Sequence, residues 1–204
     1  MTTILEQLTG TEEPVRQDQA PVLRLFTVKE YDRMREAGIL GEDERVELLE
    51  GRIIKMSPKG IKHAVANDRA SRCFFKHFGD RVIVRNQNPI HLDYASEPEP
   101  DLVLAVPQEK EYSDHHPTSS DILFVLEIAD SSLSVDRQTK SRLYAAAGII
   151  QYSVLNLKAG ELEDYRDPGL DDYRSKQTYK AEQSFSLVAF PEIEINVSEL
   201  LPPE

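Results

Sequence analysis

Two runs of large apolar residues constrain the fold of this chain more than any other feature. Residues 102–106 and 122–128 are apolar at almost every position, whereas a strand with one face in water alternates apolar and polar side chains. Continuous runs of this length are typical of central strands covered on both faces. They predict one α/β domain in which helices pack on a mixed sheet.

Three helices are predicted beside these strands. Thr27 and Glu30 form a capping box, in which each side chain satisfies a free amide at a helix start, and they predict a helix over residues 28–37. Apolar residues recur at helical spacing over residues 63–78. A third helix is predicted after Ser134, which can cap it.

Shorter segments complete the predicted sheet. Residues 46–49 and 52–54 flank a Glu50-Gly51 turn that requires the conformational freedom of glycine. Residues 161–166 and 173–180 form a second predicted hairpin around a Pro-Gly turn. The other predicted strands are residues 81–85, 89–92 and 151–157.

Polar, proline-containing ends bound the predicted domain. Residues 1–22 carry Pro14 and Pro21 and are expected to form a flexible arm. Residues 23–195 are expected to form a single domain, and residues 196–204 a tail rich in proline and glutamate. A chain of 204 residues is long enough to bury a sizeable core in one such domain.

The sequence also indicates a cellular setting. The N-terminus lacks the basic-then-apolar order of a secretory signal, and no apolar run is long enough to cross a membrane. Because Cys73 is the only cysteine, the chain cannot form an internal disulfide. A cytoplasmic protein that does not enter membranes is therefore expected.

Charge is distributed unevenly along the chain. The net charge of −12 argues against a protein that simply coats nucleic acid. Residues 52–85 nevertheless contain nine lysines and arginines against two aspartates, whereas residues 93–136 contain eleven acidic residues against one lysine. The basic segment could bind phosphates and the acidic segment cations, although solvated surfaces explain such runs equally well.

Three carboxylates stand in or beside predicted strands. Asp101 precedes one apolar run and Glu127 lies near the end of the next, so their carboxylates converge if the two strands are antiparallel neighbours. Glu47, in the first hairpin, could be a third member. A buried carboxylate must be paired, hydrogen-bonded or metal-bound. All three residues are candidate ligands of magnesium, which prefers hard oxygen ligands and which manganese could replace.

Asp136 and Lys140 lie four residues apart on the helix after Glu127, and hence on one face of it. On an arbitrary helix such a pair contributes only about 0.2–0.5 kcal/mol. Next to a bound metal, however, the lysine could orient or deprotonate the attacking water and stabilise charge on a phosphorane. We therefore predict that Lys140 is catalytic and that Asp136 orients it.

Three stretches of the chain resemble a known family. They are RVELLEGRIIKMSPKGIKH, EPEPDLVLAV and FVLEIADSSLSVDRQTKSRLYAAAGIIQY, and they are similar to the Uma-type restriction endonucleases, a branch of the PD-(D/E)XK nuclease superfamily. The likeness spans roughly residues 25–157 in order. It implies a restriction-endonuclease-like α/β fold, with a mixed central sheet flanked by helices, and metal-dependent cleavage of phosphodiester bonds.

The resemblance also implies residue roles. Asp101 matches the aspartate of the family's PD motif, and Glu127 its strand glutamate. Glu47 matches the glutamate of the early hairpin, and Lys140 the helix lysine. The wider superfamily has a lysine two residues after the strand glutamate, which is called the E-x-K pattern, whereas this chain has Ala129 at that position. The site is therefore predicted to work only if Lys140 has replaced that lysine.

Three further residues are predicted to contact the substrate. His63 matches a histidine common in the family and could contact a phosphate, although such a histidine is as often a cap or a surface residue. Lys62 precedes it on the basic helix. Gln87 could point into the same cleft or could simply be an edge-strand residue.

Together these features predict a magnesium-dependent endonuclease acting on DNA. The alternative is a nuclease fold without catalysis that binds nucleic acid or protein, which the missing E-x-K lysine and the acidic net charge favour. A phosphoesterase acting on a small diester is a third possibility. Because cutting both strands usually requires two sites, a homodimer is also expected.

Overall fold

A mixed sheet of six strands forms the centre of the computed structural model, which describes residues 22–41 and 43–203. In spatial order the strands are β3 (Ile83–Asn86), β4 (Leu102–Ala105), β5 (Ile122–Ala129), β6 (Gln151–Asn156), β7 (Glu161–Pro168) and β8 (Tyr173–Lys180). Strands β5 and β6 pair in parallel, and the other neighbours pair antiparallel. Except for Val22, the predicted arm lies outside the described residues.

Strands β4 and β5 confirm the prediction of two central strands. Every residue of β4 is buried, and so is every residue of β5 except the partly exposed Leu123. The two strands are antiparallel neighbours, and Leu102 lies opposite Leu126. Asp101 immediately precedes Leu102, and Glu127 immediately follows Leu126. Because the two strands run in opposite directions, Asp101 and Glu127 therefore lie at the same end of the pair.

Helices cover both faces of the sheet. Phe74 of α2 (Ile61–Phe78) packs edge-on against Phe124, in a core that also contains Leu126. Val125 belongs to a second core with Tyr144, because successive side chains of a strand point to opposite faces. Glu127 shares the face of Val125. None of the described helices is both long and apolar enough to cross a membrane.

The helix after β5 differs from its prediction. It consists of α3 (Leu133–Val135), a π-helical turn over Asp136–Lys140, and α4 (Ser141–Ala146). Ser134 lies inside this helix, so its predicted role as the N-cap is wrong; the first hydrogen bond runs from the Val135 amide to the Ser132 carbonyl. The π turn is closed by the amide of residue 141 donating to the carbonyl of residue 136, which widens the helix there.

The N-terminal helix and hairpin confirm their predictions. In α1 (Val28–Glu36) the Glu30 amide donates to Thr27 Oγ1, and the Thr27 amide donates to the Glu30 carboxylate. Strands β1 (Val46–Leu49) and β2 (Arg52–Lys55) form the hairpin. Gly51 in its turn has φ +74°, and a Cβ there would lie 2.7 Å from Leu25 Cβ. Glycine is therefore required on both steric and conformational grounds.

Two predicted strands differ from the structure: one is absent, and the other is shorter than predicted. Residues 89–92 do not form a strand: His91 makes an isolated bridge to Thr118, and the Ile90 amide donates to the Pro98 carbonyl. The loop that precedes β4 thus uses the hydrogen-bonding groups that a strand ladder would need. The strand predicted over residues 81–85 begins only at Ile83, since a 3-10 turn occupies Gly79–Arg81.

The predicted C-terminal tail is packed against the domain for part of its length. Strands β9 (Ser184–Leu187) and β10 (Phe190–Asn196) form a hairpin, and a 3-10 turn follows over Val197–Glu199. Val197 and Leu200 are fully buried in the core that α2 covers. The packed domain therefore extends to at least Leu200, beyond the predicted limit of residue 195.

Leu200→Ala is predicted to destabilise the protein by about 2–5 kcal/mol, the usual cost of truncating a buried leucine. Leu170, which is 90% exposed, provides the matched control, and Leu170→Ala should stay within about 0.5 kcal/mol of the parent. Urea unfolding of the three proteins measures the difference. Equal stability of the two variants would contradict the assignment of Leu200 to the core.

Candidate active site

Four residues that the sequence separates widely meet in one pocket. Glu47, Asp101, Glu127 and Lys140 all line a cavity of about 160 Å³, and each is at most 6% exposed. They come from β1, from the residue before β4, from β5 and from the π turn. The structure thus brings together the three predicted metal ligands and the predicted catalytic lysine.

Lys140 is held between two carboxylates. Its Nζ donates to Glu127 Oε1 at 2.9 Å and lies 3.1 Å from Glu47 Oε2. Burial alone would lower the pKa of this amine, but the carboxylates of Glu127, Glu47 and Asp136 outweigh burial and raise the pKa above its usual value. The amine is therefore a persistent cation, better suited to donate hydrogen bonds than to remove a proton.

Three hydrogen bonds hold the Glu127 carboxylate in the pocket. Its Oε1 accepts hydrogen bonds from Lys140 and from the Tyr144 hydroxyl, each at 2.9 Å, and its Oε2 accepts a longer one from the Asp101 amide at 3.4 Å. Burial raises the pKa of Glu127 to about 8, because the Lys140 ammonium offsets only part of the effect and neighbouring carboxylates add to it.

Asp101 is stabilised in its charged form. Its Oδ2 accepts a hydrogen bond from the Ile128 amide at 2.9 Å and lies 3.0 Å from His63 Nε2, while its Oδ1 lies 3.2 Å from Lys59 Nζ. Burial would raise the pKa of this carboxyl, but His63, Lys59 and the Ile128 amide outweigh burial and lower it. His63, predicted to contact a phosphate, therefore contacts a candidate metal ligand.

Asp136 does not pair with Lys140, so the prediction that it orients the lysine is wrong. No ion pair within 4.0 Å joins these two side chains; Asp136 Oδ2 instead accepts a hydrogen bond of 2.6 Å from the Ser132 hydroxyl. The π turn between the two residues departs from the helical spacing on which the prediction rested. Asp136 nevertheless lines the pocket, and burial raises its pKa.

Two predicted substrate contacts lie outside the pocket lining. Lys62 is exposed and lines a separate groove with Arg69 and Lys158. Gln87 lies just beyond the edge strand β3 with φ +52°, and its backbone amide donates to the Asp101 carbonyl at 3.1 Å. The structure therefore places Gln87 as a support for the backbone of Asp101, beside the site rather than in it.

Sequence reasoning missed two residues of the site. Lys59 lies in the loop between β2 and α2, and the sequence offered no signal that this loop folds back onto Asp101. Tyr144 could have been found, because it lies four residues after Lys140 on the same helix and so on nearly the same face. Its hydroxyl supplies the second hydrogen bond to Glu127 Oε1.

The charges around the pocket fit a hard divalent cation. The pocket-lining buried carboxylates are Glu47, Asp101, Glu127 and Asp136. Three ammonium groups on the same lining oppose them, those of Lys55, Lys59 and Lys140, while Glu99 and Asp130 add two further carboxylates. Oxygen-rich sites with excess negative charge suit magnesium or manganese. The oxygens of Glu47, Asp101 and Glu127 do not all lie within 4.8 Å of one another, so one magnesium ion, whose ligands lie about 2.1 Å from it, would bind all three directly only after a side chain moves.

Comparisons with known proteins address the family and the fold. The Uma2 family model, described as "Putative restriction endonuclease", matches residues 28–198. The crystal structure of a putative nuclease belonging to DUF820 from Anabaena variabilis ATCC 29413 is similar, with a TM-score of 0.65 and 14% sequence identity over 86% of this chain and 97% of that chain. This likeness confirms the predicted fold class. No curated protein matches the chain.

Glu127→Gln is predicted to alter how stability depends on pH. An acid whose pKa is raised on folding binds its proton more tightly in the folded state, so its contribution to stability falls as pH rises from about 4.5 to about 8. Because glutamine cannot ionise, the free energy of unfolding of the parent should fall relative to the variant across this window.

Urea unfolding of both proteins at intervals from about pH 5 to pH 8, with a chelator present, measures this effect. Glu109→Gln, at an exposed position, controls for the removal of one negative charge. A constant difference between parent and Glu127→Gln at every pH would show that burial does not raise the pKa of Glu127.

Proposed function

The chain belongs to the Uma2 family, and from this membership and the geometry of its pocket we propose that it is a metal-dependent endonuclease that hydrolyses phosphodiester bonds in DNA. One observation carries the proposal. The Lys140 amine lies within 3.1 Å of both Glu127 and Glu47, so a helix lysine is available where the strand lysine of the E-x-K pattern is missing.

Asp101, Glu127 and Glu47 are the proposed magnesium ligands, and manganese is the proposed substitute. When bound, such an ion polarises a phosphate oxygen and lowers the pKa of a coordinated water. Hydrogen bonds hold all three carboxylates independently of any ion: the Ile128 amide donates to Asp101, the Tyr144 hydroxyl to Glu127 and the Glu99 amide to Glu47. These hydrogen bonds orient each carboxylate separately, and binding of one ion by all three would require a side-chain movement that closes the distance between their oxygens.

Lys140 is the proposed positioning group for the reaction. Its two carboxylate contacts fix the ammonium, and its third proton remains available for the attacking water or a phosphate oxygen. A fixed positive charge in a buried site stabilises negative charge on the phosphoryl oxygens in the transition state. Because the pKa of Lys140 is raised, we assign it this role and not that of the general base.

Lys59 and His63 are proposed to contact the phosphate that enters the pocket. Both side chains line the pocket and lie beside Asp101. Lys59 Nζ makes no well-directed hydrogen bond within the described part of the chain, and burial lowers the pKa of its amine despite the opposing influence of Asp101. An incompletely satisfied ammonium beside a candidate metal ligand is well placed to bind a phosphate oxygen.

The basic surface of α2 is proposed to bind the DNA backbone outside the pocket. Lys62 and Arg69 line a groove next to this helix, together with Lys158. Contacts of this kind release counterions, so DNA binding should weaken steeply as salt concentration rises. A homodimer, which would place two sites on one duplex, remains part of the proposal.

Cleavage of supercoiled plasmid is predicted to require magnesium or manganese and to stop with a chelator. Glu127→Gln and Lys140→Met should each reduce the rate by about 10²–10⁴-fold, the usual contribution of a positioned polar catalyst. Lys110→Met, at an exposed position, is the matched lysine control. Equal cutting by all variants would refute the proposal, and DNA binding by the parent without any turnover would select the non-catalytic module.

Lys59→Met is predicted to raise KM for DNA and to tighten the binding of manganese. Removing the ammonium that lies 3.2 Å from Asp101 Oδ1 frees a ligand oxygen and removes a competing charge. We expect at least about a tenfold gain in manganese affinity, comparable with the effect of a neighbouring charge on proton affinity. Isothermal titration measures it, with Lys62→Met as control. An unchanged or weaker affinity would argue against this placement of Lys59.

A further inference from the structure

A second group of metal-binding side chains lies at the other end of α2, apart from the carboxylate pocket. Cys73 and His77 are four residues apart on this helix, and Glu199 comes from the 3-10 turn after β10. One ligand atom of each residue lies within 4.8 Å of the other two. His77 Nε2 and Glu199 Oε2 are 3.4 Å apart.

Nothing in the proposed nuclease mechanism uses these residues. Cys73 is only 5% exposed, and no hydrogen bond to its sulfur occurs within residues 22–41 and 43–203. A cavity of about 200 Å³ lies beside it and is lined by Cys73 and Glu199 together with Arg69, Arg72 and Lys76. An unpartnered, buried thiol thus borders a cavity with an imidazole and a carboxylate close by.

We propose that Cys73, His77 and Glu199 form a binding site for a divalent transition-metal ion of the zinc class. Thiolate and imidazole ligands favour zinc and similar ions over magnesium and calcium. Three protein ligands leave the fourth tetrahedral position for water. The site is independent of the carboxylate pocket and of the proposed nuclease activity.

The charges around the cluster permit this assignment. Lys76 Nζ lies 3.7 Å from Glu199 Oε2, and two arginines also line the cavity. These cations oppose a divalent ion, but a thiolate and a carboxylate supply two negative charges that offset the ion itself. Burial raises the pKa of the Cys73 thiol to about 12, which opposes metal binding, because the ion must displace the thiol proton to solvent before the thiolate can bind it.

A metal at this position would join the C-terminal turn to α2. Glu199 directly precedes Leu200, which is buried against the core that α2 covers. The opposite end of the same helix carries His63, which contacts Asp101. The expected consequence is a more stable C-terminal segment, because an ion that binds only the folded state stabilises that state.

Titration of the full chain, freed of metal with a chelator, tests the site. Cobalt chloride should produce the near-ultraviolet charge-transfer band of one thiolate–cobalt bond per chain. Zinc chloride should displace the cobalt, whereas excess magnesium chloride should not. With zinc at 100 times its Kd, the Tm should rise by about 5–10 °C.

Variants at each ligand separate this site from the carboxylate pocket. Cys73→Ser should abolish the charge-transfer band, and His77→Gln and Glu199→Gln should lower zinc affinity by at least about tenfold. Circular dichroism verifies folding, and because His77 and Glu199 are both half-buried, their glutamine variants should perturb folding less than a change at the buried Cys73. Glu127→Gln should leave the thiolate–cobalt band unchanged.

Two results would overturn the proposal. One is the absence of stoichiometric zinc or cobalt binding by the parent protein. The other is binding that His77→Gln and Glu199→Gln leave intact while Glu127→Gln removes it, since the ion would then occupy the carboxylate pocket. Neither result measures DNA cleavage, so the nuclease proposal can fail or hold independently.

Discussion

The contact of the Lys140 ammonium with Glu127 and Glu47 is the interaction on which the candidate site depends. Several carboxylates are removed from water in this pocket, and their mutual repulsion must be compensated. Removing one partner of a buried charge pair typically costs about 3–5 kcal/mol, because the other charge is left unpaired. The lysine therefore allows the acidic cluster to exist in a folded protein, and the same position makes it available to a substrate.

The sheet supplies the geometry that this charge pairing needs. The antiparallel pairing of β4 and β5 brings Asp101 beside Glu127, the π turn places Lys140 over the same face, and α2 brings His63 against Asp101. A π turn inside a helix is uncommon and often marks a functional site. Here the π turn lies between β5 and α4 and contributes both Asp136 and Lys140 to the pocket lining.

Features that depend on local pattern were predictable from the sequence, whereas those that depend on long-range folding were not. The apolar runs predicted β4 and β5, and their order along the chain suggested that Asp101 and Glu127 could meet. No local pattern could show that the loop holding Lys59 folds onto Asp101. The prediction that Asp136 orients Lys140 was wrong because it assumed an ideal helical spacing where a π turn occurs. The burial of Leu200 was not predicted, because the sequence around it is polar and rich in proline.

The most direct test of the charge arrangement is to locate manganese by anomalous diffraction in crystals soaked with manganese chloride. A hard cation attracted by the buried carboxylates should give a peak between the carboxyl groups of Asp101 and Glu127, with the Lys140 amine still in contact with Glu127. No peak in the pocket at saturating manganese, or a peak only at distant surface carboxylates, would contradict a metal-dependent site built on these residues.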